Sequence, residues 1–167
     1  MEKALIAGIP KELEYGRYRF DSVLGQGGQG VACKYITVSD GTPVAIKIDP
    51  EDQRNILAEC TFLKSVGPNL SCAPKYILHN TFGGGRRYLV MQYLELSVEE
   101  YVSQQKDKDP AIKKLAIDML NAIKELHEMD YIHRDIKTAN FRVHKGKLYL
   151  IDFGIKKLYR EYGEHIK

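Results

Sequence analysis

The chain has 167 residues, 44% of them hydrophobic and 28% charged, proportions of an ordinary globular protein that exclude the disordered and fibrous classes. A formal net charge of +3, with Lys and Arg spread along the chain, argues against a nucleic-acid binder, which needs a concentrated basic face. Three cysteines, Cys33, Cys60 and Cys72, without a C-x-x-C pair, argue against a disulfide scaffold or zinc site and for a reducing, intracellular setting, cytoplasmic or nuclear.

In chain order, the apolar run Ala4 to Ile9 is ended by Pro10. It is too short for a membrane span and has no basic leader, so neither a membrane nor a secretory route is expected. Residues 18 to 48 are rich in β-branched and aromatic side chains, and predict three strands at Tyr18–Leu24, Val31–Ser39 and Pro43–Ile48. Asp40-Gly41, between the second and third, is the dipeptide a tight hairpin prefers. Ile56, Cys60 and Leu63 then recur at helical spacing within Gln53–Val66, and Gly67-Pro68 ends that helix. Two further strands, Tyr76–Phe82 and Arg87–Gln92, flank Gly83-Gly84-Gly85, giving a five-stranded antiparallel sheet with one helix. The second half opens with a short helix over Val98–Gln105. A longer one starts at Asp109-Pro110, an N-cap followed by a first-turn proline, with Ile112, Leu115, Met119, Ile123 and Leu126 as its apolar repeat. A loop over 130–140 and two short strands, Phe141–Val143 and Leu148–Ile151, complete an α+β chain.

Four clusters carry chemistry. Gly25, Gly27 and Gly30 sit between two strands, where backbone N–H groups approach a phosphate unobstructed, or where the chain simply turns. A dinucleotide-fold fingerprint would open a helix, and this one opens a strand. Lys47 ends Val44-Ala45-Ile46-Lys47 and either reaches solvent or points inward at a phosphate. Glu59 shares the apolar side of its helix, where a carboxylate is costly without a cation; Lys47 is its natural partner, while Glu51 suits the helix start instead. His133-Arg134-Asp135-Ile136-Lys137-Thr138-Ala139-Asn140 places a proton acceptor, a cation and an amide in one loop: Asp135 to accept a hydroxyl proton, Lys137 to neutralise a phosphoryl group, Asn140 to ligate Mg²⁺. Asp152, leading Asp152-Phe153-Gly154 out of a strand, suits Mg²⁺ as well.

Together and in this order, over about residues 18–160, these clusters resemble a protein kinase. Asn140-Phe141, the run from Asp152 to Arg160, and His165-Ile166 resemble the casein kinase I group, with the vaccinia-related and tau-tubulin kinases in the same neighbourhood. The resemblance implies an N-terminal extension over 1–17, an ATP-binding lobe over 18–94 and a partial helical lobe over 95–167. It implies Gly25, Gly27 and Gly30 over the ATP phosphates and Lys47 on the α- and β-phosphates, paired with Glu59. Ala45 would border the nucleotide, Met91 would be the gatekeeper, and Gln92, Tyr93 and Leu94 would form the hinge that meets adenine. Asp135 would be the catalytic base, and Asn140 and Asp152 the Mg²⁺ ligands; Lys137 implies transfer to Ser or Thr of a protein substrate.

Three positions depart from the family pattern: Ala32 for a valine on adenine, Gln29 for an aromatic loop tip, and Arg142 for an apolar floor beneath the base. The Arg142 guanidinium either stacks there or spoils the pocket. The chain ends thirteen residues after Gly154, which reads as a truncated or minimal form. The expectation is an ATP- and Mg²⁺-dependent serine/threonine kinase, with a kinase-like binding module or inhibitor as the alternative. Apolar residues around helix 111–129 predict self-association or a protein partner there, unless Ala4–Ile9 folds back over them.

Overall fold

The computed structural model describes residues 8–27, 30–49, 55–161 and 164–165. Outside them lie Gln29, Glu51, Gln53 at the expected helix start, Ile166, and most of the Ala4–Ile9 run. The chain divides into two compact units that are not contiguous in sequence. The first comprises residues 1–60 and 75–93, the second 61–74 and 94–167.

The first unit is built on an antiparallel sheet of strands β1 (Glu12–Leu13), β2 (Tyr18–Gly27), β3 (Gly30–Thr37), β4 (Pro43–Ile48), β5 (Tyr76–Phe82) and β6 (Arg86–Gln92), in the order β1-β2-β3-β4-β6-β5. Five are the strands expected from alternation. The sixth, β1, is two residues long and has no period to read. The β3–β4 connection is wider than the tight hairpin expected. Strand β3 stops at Thr37, Gly41 takes φ +73°, and Asp40 Oδ1 accepts the Thr42 N–H at 2.9 Å, so residues 38–42 form the loop. Side chains at Tyr18, Val31, Cys33, Tyr35, Val44, Ile46, Ile48, Tyr88 and Val90 leave the sheet on one side and form a buried cluster with Leu13. Ile9 packs against that cluster, and the Tyr35 hydroxyl donates to the Pro10 carbonyl at 2.7 Å. The segment 8–13 therefore caps the sheet of its own unit. Each large side chain so buried contributes about 1.5–3 kcal/mol.

Helix α1 (Asn55–Ser65) carries Ile56, Cys60 and Leu63 as its buried stripe, as its spacing predicts. Its first half belongs to the first unit and its last turn to the second.

The second unit holds β7 (Leu96–Ser97), α2 (Val98–Ser103), α3 (Lys108–Glu128), β8 (Tyr131–Ile132), β9 (Phe141–His144), β10 (Lys147–Leu150) and β11 (Lys157–Leu158), followed by the short β12 (Arg160–Glu161) and β13 (Glu164–His165). Strands β10-β9-β7 form one sheet and β11-β8 another. Ser97 and Glu100 close a reciprocal capping box that starts α2. Helix α3 begins two residues earlier than the sequence predicts. Its N-cap is Asp107, whose side chain accepts from the Asp109 N–H, and Pro110 still falls in the first turn. Leu115, Ala122 and Leu126 are its buried side, whereas Ile112, of the same apolar repeat, is 51% exposed. Among the described residues no helix is long and apolar enough to cross a membrane, and Cys33, Cys60 and Cys72 are free and buried.

Candidate active site

Strand register decides which side chains of the first unit share a face. Directly opposed residues of an antiparallel pair point the same way. The pairs Ala32↔Lys47, Lys34↔Ala45, Ala45↔Met91 and Lys47↔Leu89 therefore put Ala32, Lys34, Ala45, Lys47, Leu89 and Met91 on one face, opposite the buried cluster. Lys47 Nζ lies 2.7 Å from Glu59 Oε2, with the carboxylate 1% exposed. Burying either charge alone would cost several kcal/mol, so each residue makes the other tolerable. The β2–β3 turn pairs Gly25 with Ala32 and Gly27 with Gly30. Gly30 takes φ +117°, open only to glycine without strain. A Cβ built on Gly25 or Gly27 would meet nothing within 4 Å. Internal packing therefore does not require those two glycines, and the backbone there stays open to a ligand.

At the end of β6, the Gln92 N–H already donates to the Lys75 carbonyl at 2.9 Å. Of the three hinge residues expected, Gln92 thus has its donor engaged within the sheet. Leu94 belongs to the second unit, where it is buried. Lys34 is a residue that motif reading passes over. Its ammonium sits 5.5 Å from the Tyr93 ring centre and 3.3 Å from Asp21 Oδ2. The signal was its place two residues beyond Ala32, which in a strand means the same face.

In the second unit, the loop after β8 is organised by hydrogen bonds to its own neighbours. His133 is 2% exposed, and its Nε2 lies 2.9 Å from the Ile151 carbonyl. Its Nδ1 accepts the Asp135 N–H at 3.3 Å, so a neutral ring protonated on Nε2 satisfies both contacts. Arg134, at φ +70°, donates from Nε to the Ile155 carbonyl. Asp135 Oδ2 accepts from Lys137 Nζ at 2.7 Å and from Asn140 Nδ2 at 2.9 Å, and Asn140 Nδ2 also reaches the Asp135 carbonyl at 2.7 Å. The Lys137 ammonium, then the Asn140 amide, hold the Asp135 carboxyl below the usual carboxylate range. Phe153 is fully buried, stacked on Phe62 at 4.7 Å and edge-on to His133 at 5.3 Å. It anchors the turn in which Asp152 takes a left-handed φ of +69°.

These contacts leave specific atoms available. With Oδ2 of Asp135 occupied, Oδ1 remains to accept a proton. With Nδ2 of Asn140 turned inward, Oδ1 remains as an oxygen ligand. Among the described residues no group of three or more His, Cys, Asp or Glu side chains could cage a metal by itself. An amide oxygen and one carboxylate, Asp152, suit Mg²⁺ instead, which keeps waters and shares its shell with phosphate oxygens.

Arg142 pairs across the sheet with Ser97 and Tyr149. Its charge is felt by Glu100: the Glu100 carboxyl is held low first by its hydrogen bonds with Ser97 and in smaller part by Arg142. Helix α3 leaves Ile112, Ile117 and Leu120 at 51%, 60% and 68% exposure, while Leu115 of the same expected surface is buried.

The sequence profile of the protein kinase domain matches residues 18–165. A Caenorhabditis elegans protein carrying the name casein kinase I is 27% identical over 165 residues, spanning 90% of this chain and 48% of its own length. The B1 kinase of vaccinia virus (strain Copenhagen) is 26% identical over 167 residues, spanning 86% of this chain and 54% of its own. A casein kinase I homolog of Kluyveromyces lactis is 29% identical over 154 residues, spanning 86% and 28%. The chain thus spans about half the length, or less, of the curated relatives it matches.

Proposed function

Since the chain belongs to the protein kinase domain family, we propose that it transfers the γ-phosphoryl group of Mg-ATP to a serine or threonine hydroxyl of a protein. The observation that carries this reading is the Asp135–Lys137–Asn140 constellation, a carboxylate with one oxygen held by a cation and an amide and the other open. Asp135 Oδ1 receives the hydroxyl proton as the substrate oxygen bonds to the γ-phosphorus and the bond to the β–γ bridging oxygen breaks. The transition state is loose, so a weak but correctly placed base suffices. Lys137 offsets negative charge on the transferred group. Asn140 Oδ1 and the Asp152 carboxylate would hold Mg²⁺, which would supply positive charge against the phosphates. In the first unit, Lys47, paired with Glu59, would meet the α- and β-phosphates, and the β2–β3 glycines would offer N–H groups to the others. Ala45 and Met91, on the same face, border the base.

The names of the relatives support the casein kinase I neighbourhood. Three free, buried cysteines support a reducing compartment. The exposed apolar side chains of α3 favour the second reading, an association surface through which the chain binds another copy or a protein partner.

Incubation with γ-labelled Mg-ATP and an acidic Ser/Thr substrate tests the proposal beside Asp135→Asn. The expected outcome is label on the substrate, reduced about 10²–10⁴-fold in the variant. Equal labelling by both chains refutes the assigned role of Asp135.

A further inference from the structure

One side of α3 borders a cavity of about 390 Å³ that lies wholly within the second unit and includes no residue of the catalytic loop. It is also lined by Ser71-Cys72 and by Gly146 to Leu148, where the β9–β10 turn enters β10. Two small residues create the space. Ala122 presents only a methyl group from the helix, and a Cβ at Gly146, which takes φ +74°, would meet nothing within 4 Å. The floor is apolar, with Cys72, Ala122 and Leu148 each under a tenth exposed.

The rim is a row of acceptors. Asp118, Asn121 and Glu125 succeed one another at intervals of three and four, which stacks them along one side of a helix. Glu125 is fixed in place: it accepts the Ser71 N–H at 2.6 Å, the Ser71 hydroxyl at 3.0 Å and the Cys72 N–H at 3.3 Å. Burial pushes its carboxyl up, but these bonds outweigh it and hold the group ionised below its ordinary range. No cation among the described residues is paired with it. Asp118 meets Lys114 through Oδ2 at 2.6 Å, which leaves Oδ1. The Asn121 side chain is exposed and makes no hydrogen bond within the described residues. Lys147 also lines the cavity, 5.3 Å from the Tyr149 ring and paired with no carboxylate among the described residues.

We propose that this groove docks an extended segment of a protein partner through one arginine, followed closely by an acidic residue. The planar guanidinium carries five N–H donors in a fixed fork, enough to bridge acceptors from successive helical turns. A lysine offers a point charge and cannot span them. The acidic residue answers Lys147, and Lys114 with Lys147 disfavours a polybasic run. A small side chain between the two covers the apolar floor. The inference deepens the kinase reading by naming the chemistry of a protein that such an enzyme would recruit away from its catalytic loop.

The test is amide chemical-shift titration of the whole ¹⁵N-labelled chain, without nucleotide, against the blocked peptide Ala-Arg-Ala-Glu-Ala and its twin with citrulline for arginine. Citrulline keeps the shape and removes the charge. The arginine peptide is expected to shift the amides of Asn121, Ala122, Gly146 and Lys147. Losing charge-assisted hydrogen bonds weakens binding at least about tenfold, for the citrulline twin and equally for Asn121→Lys, an exposed change that puts a cation among the acceptors. Asp118→Asn, which preserves shape, provides a second variant with loss in the same direction. Absence of shifts at millimolar peptide, equal binding of the twin, or undiminished binding by both variants overturns the proposal. Because no phosphoryl transfer is read, failure here leaves the kinase reading standing, and an inactive kinase leaves this result standing.

Discussion

The least replaceable residues pair a charge with its opposite where water is scarce. Lys47 and Glu59 form such a pair, and losing one residue takes a 2.7 Å ion pair away from the other's buried charge. Glu59→Ala is expected to cost about 3–5 kcal/mol in urea unfolding, whereas replacing both residues with apolar ones of similar volume costs much less. A double change as damaging as the single would show that packing, not charge, holds them. Lys47 was readable because a strand alternates and Glu59 because its helix repeats, so each fell on a buried side where it demanded a partner. Arg142 was readable only as a departure from a pattern. Its neighbour Glu100 lies far enough along the chain that no local spacing announces it. Arg142→Leu removes the smaller of the influences holding Glu100 low, so the Glu100 midpoint should rise modestly by NMR titration while its Ser97 bonds persist. A fall in that midpoint contradicts the assignment.

Helix α3 shows how differently two sides of one element behave. Leu126 is fully buried, and Leu126→Ala should cost about 2–5 kcal/mol. Leu120 is 68% exposed, and Leu120→Gln should change stability by less than about 0.5 kcal/mol. If the exposed side is an association surface, that same Leu120→Gln lowers the mass seen by light scattering at micromolar concentration. A wild-type chain that is monomeric throughout removes that reading. The helix also has a pH signature. Glu125 is lowered relative to its unfolded value, so its contribution is present above that value, about 4.3. It is lost as pH falls through the folded value. Glu125→Gln should therefore flatten the acid limb of the stability curve, and an unchanged limb would mean that other carboxylates control it. The apolar repeat revealed this helix but not its start, because Asp107 and Asp109 are both good caps and only the backbone chooses between them. The repeat named Ile112 beside Leu115 without separating them, since a position at the margin of an apolar stripe is settled by what packs against it.

For the whole molecule, motif order was enough to predict a five-stranded sheet with its helix, because each strand announces its own alternation. The two-residue strands β1 and β7 announce nothing; they exist because a neighbouring strand supplies their partners. That residues 61–74 join the second unit across a long gap in sequence was equally hidden. That segment brings Phe62 beneath Phe153, the Cys72 carbonyl that accepts the Leu150 N–H at 2.8 Å, and the donors that hold Glu125 from 54 residues away. The second unit is therefore not a fragment that can be cut free at one point. A chain starting at residue 95 lacks the piece that closes its own core, and should give the dispersion-poor NMR spectrum of an unfolded polypeptide. Adding a synthetic 61–74 peptide should recover dispersion only where the missing contacts lie. The same feature bears on birth at the ribosome: residues 61–74 emerge early and must wait, with Phe62 and the Cys72 carbonyl unmatched, until the polypeptide has grown to Leu150 and Phe153. For that interval the nascent chain offers a chaperone an apolar handle that the finished protein has put away.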